Sequence, residues 1–80
     1  MRYTVLWTPS AEQDLAAIWM DAQNRNAVTS AASSIDALLG EQADTQGESR
    51  YGTVRIMFAP PLGLEFEVLE DNRMVYVVAV

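Results

Sequence analysis

Five cations and eleven acids are the side chains that carry full charge in this 80-residue chain, which contains neither histidine nor cysteine. All five cations are arginine: Arg2, Arg25, Arg50, Arg55 and Arg73. Without an imidazole or a thiol, no nucleophilic triad with a histidine base can be assembled. The ordinary zinc and iron–sulfur ligand sets are missing too, so neither a metal nor another cofactor is expected. The remaining chemistry is charge stabilisation by guanidinium groups and proton transfer by carboxyl or phenol groups. Glu65 and Glu67 stand two apart, the spacing of one strand face. Flanked by Leu64, Phe66 and Val68, they read as the solvated side of a half-buried strand rather than an acid–base pair or hard-metal site. Gly47 and Gly52 followed by Thr53 have the glycine spacing of a phosphate loop. The lysine is absent, however, and a strand follows where a helix is required. Tyr76 lies in an uncharged run, where a packed ring with a tethered hydroxyl fits better than a general acid.

These groups sit in a chain that is half apolar, with a net charge of −6. Its length supports a single domain, residues 1–80, able to bury about 60% of the surface exposed when unfolded. The acidic balance opposes long-range attraction of nucleic acid, which binds largely through neutralised phosphates. No apolar run approaches the ~20 residues of a membrane span, and the N-terminal residues lack a secretory pattern. No membrane partner is expected, and a cytoplasmic location is.

Periodicity divides the chain. Residues 2–8 alternate, with Tyr3, Val5 and Trp7 on one face, and predict a strand ended by Pro9. Ser10 and Gln13 have the form of a capping box, opening a helix over 10–22 with Ala11, Leu15, Ile18, Trp19 and Ala22 along one stripe. Asn24 and Asn26 offer caps for a second helix. Its stripe is Val28, Ala31, Ala32, Ile35, Leu38 and Leu39, and Gly40 is the expected C-terminal cap. Ala17, Ala31 and Ala32 would let the two helices approach closely. Trp7 and Trp19 are expected as core anchors between sheet and helix. Residues 41–50 have no apolar period and predict a loop. Residues 51–59 predict a second strand with Val54, Ile56 and Phe58 on one face and Arg55 on the other, outer face, before a turn at Pro60–Gly63. A third strand, with Leu64, Phe66 and Val68 inward, turns through Glu70–Arg73 into an uncharged fourth, Met74–Val80, expected inside the sheet. The first strand is expected beside the fourth, leaving the second at an edge. The fold class is therefore α+β, in the order β-α-α-β-β-β, with a helical hairpin on one face of a four-stranded, mainly antiparallel sheet.

That order resembles the RelE/ParE superfamily, toxin components of type II toxin–antitoxin pairs often labelled plasmid stabilisation proteins. The resemblance spans nearly the whole chain. It is carried by Tyr3-Thr4-Val5-Leu6-Trp7-Thr8-Pro9-Ser10-Ala11-Glu12, Leu15-Ala16-Ala17-Ile18-Trp19, Ile35-Asp36-Ala37-Leu38-Leu39, Gly47-Glu48-Ser49-Arg50, Val54-Arg55-Ile56 and Val77-Val78-Ala79-Val80. It implies a cognate antitoxin as partner, and as target either ribosome-bound mRNA, which is cleaved, or DNA gyrase, which is poisoned. It does not choose between these targets. It further implies that Arg50 and Arg55 stand where the family's nucleases stabilise phosphate charge. Five residues apart, they point to opposite faces of an unbroken strand, unless a bulge or turn between them, for which Tyr51-Gly52 is suited, realigns them. The alternative for both is surface pairing with Glu65 or Glu67. Family toxins are commonly basic, so the net charge of −6 gives weight to a catalytically inactive relative that keeps only the binding role. An unrelated α+β binding domain is a further alternative. An antitoxin would cover apolar surface at the helical hairpin or pair with a free sheet edge. A groove at Met57, Leu69 or Val80 is expected to receive a partner or a second copy, as a homodimer.

Overall fold

The computed structural model describes residues 2–80; the side chains of Arg50 and Tyr51 lie outside the described part. Strand β1, Thr4–Trp7, is built from β-branched and large side chains and ends where Pro9 can donate no ladder hydrogen bond. At the junction Thr8 does two things. Its N–H donates to the Val77 carbonyl at 3.0 Å, and its Oγ1 accepts from the Ala11 N–H at 3.1 Å. Pro9 occupies the first turn of helix α1, Pro9–Asp21, where its missing N–H costs nothing. The cap is therefore Thr8 rather than Ser10. Helix α2, Arg25–Gln42, is capped by Asn24, whose side chain accepts from Ala27 N–H at 3.1 Å. Of the expected stripe it buries Val28, Ala31, Ile35 and Leu39, while Ala32 is half-buried and Leu38 is exposed. It does not stop at Gly40: the Gly40 carbonyl accepts from Tyr3 N–H at 2.7 Å, and the helix continues to Gln42. A last-turn carbonyl that finds an external donor leaves nothing for a cap to satisfy.

The region expected as a loop contains a short 3₁₀ turn, Ala43–Thr45, and an additional strand β2, Glu48–Tyr51. The strands β3, Val54–Ala59, β4, Leu62–Leu69, and β5, Met74–Ala79, follow. They form one five-stranded sheet in the order β1-β5-β4-β3-β2, where four strands were expected. β1 runs parallel to β5 and all other neighbours are antiparallel. The uncharged strand β5 is internal and adjoins β1, as its sequence predicts. β3, expected at the edge, is covered by β2.

Helices cover one face only. Tyr3, Met57, Leu62, Leu64, Phe66, Val68, Val75 and Val77 meet the helical residues Ala11, Val28, Ala31, Ile35 and Leu39 in a single core. The inward face of β3 is the reverse of the expected one. Arg55 lies opposite Phe66 and Met57 opposite Leu64, while Phe58, expected inside, is 76% exposed. Phe58 stands opposite Gly63, and its ring carbons come within 3.1 Å of where a Cβ on that glycine would be. The ring covers glycine backbone on the outer face instead of filling the core. The difference is measurable. Phe66→Ala, at a site fully removed from water, should cost about 3–5 kcal/mol. Phe58→Ser should cost under ~1 kcal/mol, both read from urea midpoints.

Tyr3 locks β1 to the β4–β5 turn. Its hydroxyl donates to the Glu70 carboxylate at 2.9 and 3.0 Å, and the Arg73 guanidinium lies 5.4 Å from its ring centre. Arg73, in the left-handed region with φ 53°, is 3.9 Å from Glu70. Burial, then the hydrogen bond to Glu70 and the negative charges of Asp44 and Glu70, hold the phenol above its usual pKa, with Arg73 opposing. The folded state therefore keeps this proton longer than the unfolded chain does. Stability from this contact is fully present below about pH 10, the unfolded phenol value, and is lost as pH rises through the higher folded value. Urea unfolding above pH 10 should show stability falling more steeply for the starting protein than for Tyr3→Phe.

Candidate functional site

The open side of β1 borders a hollow with room for a ligand. Main-chain groups alternate along a strand. Thr4 and Thr8 donate toward β5, to Arg73 and Val77 carbonyls at 2.8 and 3.0 Å, so the amides and carbonyls of Val5 and Trp7 face the unpaired edge. α1 stands beside that edge. Between them runs a groove of ≈ 750 Å³ lined by Val5, Leu6, Trp7, Leu15, Ala16, Trp19, Met20 and Ala32, with Glu12 and Asp36 as its charged members. Leu6, Trp19 and Met20 are 46%, 39% and 64% exposed. Trp19 and Met20 stand together on α1 at this hollow, while Leu6 borders it from the outer face of the sheet, beside Tyr76.

Both indoles are held in place. Trp7 Nε1 donates to Asp36 Oδ1 at 2.7 Å, joining β1 to α2. The Trp19 ring has the Arg25 guanidinium 4.5 Å from its centre. Arg25 also donates to the carbonyls of Trp19 and Met20, each at 3.1 Å, so it closes the last turn of α1 while supporting that ring. Of the tryptophans expected as core anchors, Trp7 packs against the core while also lining the groove, and Trp19 is an exposed groove wall. Neither Asp36 nor Arg25 is marked by the sequence pattern as a site residue. The positions of Asp36 one residue after the buried Ile35, and of Arg25 just past the end of α1, are the only signals that could have revealed them.

The other candidates are dispersed. Arg55 is on the helix-facing side of the sheet and donates from Nη1 to the carbonyls of Asp44 and Gln46, both at 3.0 Å. Glu65 and Glu67 are on the opposite side, so the expected pairing with Arg55 does not form. Arg50 sits in the β2 backbone where the register with β3 shifts, between Ser49 and Tyr51. Its side chain, and any role assigned to it, lies outside the described residues. The break expected at Tyr51-Gly52 is there as well: β2 ends at Tyr51, and a turn through Gly52, with φ 55°, puts Arg50 and Arg55 on different strands. Glu67 accepts from Thr53 Oγ1 at 2.6 Å. Tyr76 is half-buried on the outer face, level with Leu6 and Glu67, rather than enclosed by the core. Met57 and Val80 do line one hollow, of ≈ 270 Å³, shared with Ile56, Phe58 and Glu65, while Leu69 stands apart from it.

Comparison with known proteins bears on the fold. No protein-family model and no curated protein matches the chain in sequence. Among solved structures, a chain of the toxin–antitoxin complex RelBE2 from Mycobacterium tuberculosis superposes with a TM-score of 0.81 at 13% identity, covering 99% of this chain and 88% of that one. A chain of the chromosomal ParDE toxin–antitoxin system from P. aeruginosa superposes with a TM-score of 0.72 at 18% identity, covering 98% of this chain and 92% of that one. The chain has a RelE/ParE-like α+β fold, with two helices on a mixed five-stranded sheet.

Within this fold Arg55 serves the connection that delivers β2. It gathers two carbonyls of a segment whose next residue, Gly47, has φ +72° and would set a Cβ 2.5 Å from the Ile56 carbonyl oxygen. Removing the guanidinium leaves those carbonyls without their donor. Arg55→Ala should destabilise by about 1–3 kcal/mol, with Arg55→Lys recovering part of it, as read from thermal and urea midpoints.

Proposed function

We propose that this chain is the toxin component of a type II toxin–antitoxin pair, and that its β1–α1 groove receives a segment of the cognate antitoxin. The groove is the observation that carries this reading: an apolar hollow beside an unpaired strand edge, in a fold like that of chains from two toxin–antitoxin complexes. An extended segment could satisfy the free main-chain groups of Val5 and Trp7, while its side chains fill the space before Leu15, Trp19 and Met20. Such a protein would act in the cytoplasm. Among the described residues no helix is long and apolar enough to cross a membrane.

A second reading, a RelE/ParE-like interaction module without catalysis, is favoured by where the positive charge has gone. Arg2 pairs with Glu41, Arg25 and Arg55 hold main-chain carbonyls, and Arg73 lies against Tyr3 and Glu70. The sheet face left open presents Glu65 and Glu67, which repel a phosphate backbone. If mRNA is the target, Arg50 is the group with which phosphate stabilisation would have to begin. Gyrase poisoning makes no demand on a phosphate-binding cluster.

Co-expression with the product of the adjacent reading frame tests the partner. A stable complex is expected, and Trp19→Asp should weaken it by at least tenfold, since large aromatic side chains dominate interface energy. A complex unaffected by this change would remove the groove from the reading. Induced expression of the chain alone tests the activity. Growth arrest supports the toxin, and arrest unchanged by Arg50→Ala argues against an arginine-based nuclease. A complex without arrest selects the interaction module.

A further inference from the structure

The groove's charge is one-sided. Glu12 and Asp36 are its charged lining residues, and among the described residues no cation lines it. Glu12 is exposed in the first turn of α1, and Asp36 is exposed on α2. Asp36 Oδ1 is fixed by the Trp7 indole at 2.7 Å, so the carboxylate is held facing the space between β1 and the helices. Arg25, the cation beside this hollow, is already spent on the Trp19 ring and on the carbonyls of Trp19 and Met20. Whatever enters must therefore leave two carboxylates unpaired or bring its own positive charge. Desolvating an unpaired carboxylate is costly, and a like charge set against it adds repulsion.

We infer that the segment accepted by this groove is cationic as well as apolar: an extended stretch of large aliphatic side chains interleaved with lysine or arginine placed to reach Glu12 and Asp36. This rests on the groove being the docking site proposed above, and it specifies the chemistry of the partner. Two other occupants are disfavoured by the same observation. An acidic segment meets like charge at both positions. A second copy of this chain, itself carrying −6, would bring its own Glu12 and Asp36 to a two-fold contact. The whole-chain charge adds long-range attraction for a basic partner, so its association should slow as salt is added.

Trp7 and Trp19 line the groove, so their fluorescence reports occupancy directly. The probes are two synthetic peptides of about twelve residues, identical in their alternating Leu, Ile and Val positions, one with Lys and the other with Glu between them. The Lys peptide should bind at least tenfold tighter, about 1.4 kcal/mol, and the preference should vanish in the double variant Glu12→Gln, Asp36→Asn. The Asp36→Asn change keeps a carbonyl oxygen for the Trp7 indole, and circular dichroism of the variant checks that the fold is kept. Equal affinities, or tighter binding of the Glu peptide, would overturn the inference while leaving the groove a docking site. Binding of neither peptide would remove the docking site, and the inference with it. A protein found dimeric by sedimentation and made monomeric by Met20→Glu would give the groove to a second copy, also overturning the inference.

Discussion

The parallel pairing of β1 with β5 is the constraint from which the remaining arrangement follows. A parallel pair cannot be closed by a hairpin, so the whole interval from Trp7 to Met74 serves as the connection, holding both helices and the three strands between. Because β1 joins at the far side of β5, it becomes an edge, and because it is only four residues long, α1 begins at once beside it. Thr8 makes that abrupt change possible by ending the ladder and capping the helix with one residue. The groove is thus a product of topology: an edge strand with free main-chain groups, beside which residues of both helices form the walls.

A second consequence is that the sheet is shielded on one side only. Two helices are enough to bury Phe66, Val75 and Val77 completely, but the residues alternating with them stay partly in water. Leu6, Ile56, Leu69, Met74 and Tyr76 share that outer face with Glu65 and Glu67. Carboxylates spaced along an apolar sheet face keep it hydrated and discourage sheet-on-sheet association. They also give this surface the wrong sign for nucleic acid, and a reading centred on partner binding accommodates that better than one centred on phosphate chemistry.

What the sequence revealed, and what it hid, follows from whether a side chain's own pattern decided its environment. Tyr3, Val5 and Trp7, the α2 residues Val28, Ala31, Ile35 and Leu39, and Leu64, Phe66 and Val68 all lie as their periodicity predicts, because each pattern contrasts apolar with polar neighbours. The strand over 54–59 lacks that contrast. Val54, Ile56 and Phe58 are more apolar than Arg55 and Met57, yet the latter set faces inward, since the long stem of Arg55 can cross the core margin to reach the Asp44 and Gln46 carbonyls. β2 was hidden for another reason. Glu48-Ser49-Arg50 has no apolar period, and its pairing is dictated by the neighbouring β3 backbone rather than by burial of its own side chains. The groove was partly visible as an expected free edge and hairpin surface, but its walls were assigned to the core, because a tryptophan on a helical stripe looks the same whether the stripe ends under the sheet or at its rim.

The use of arginine ties these points together. A chain with no disulfide has few ways to fasten its turns, and a guanidinium, with five donors in a planar fork, can satisfy several carbonyls from one position. Arg25 does so at the end of α1, and Arg55 does so where the chain leaves α2 for β2. Each guanidinium committed in this way keeps its charge but has its donors engaged by the fold, and the carboxylates outnumber the cations eleven to five. The electrostatic character of the exposed apolar patches is therefore not independent of how the fold is fastened: the same residues that hold the turns together leave Glu12 and Asp36 to govern what can approach the edge of β1.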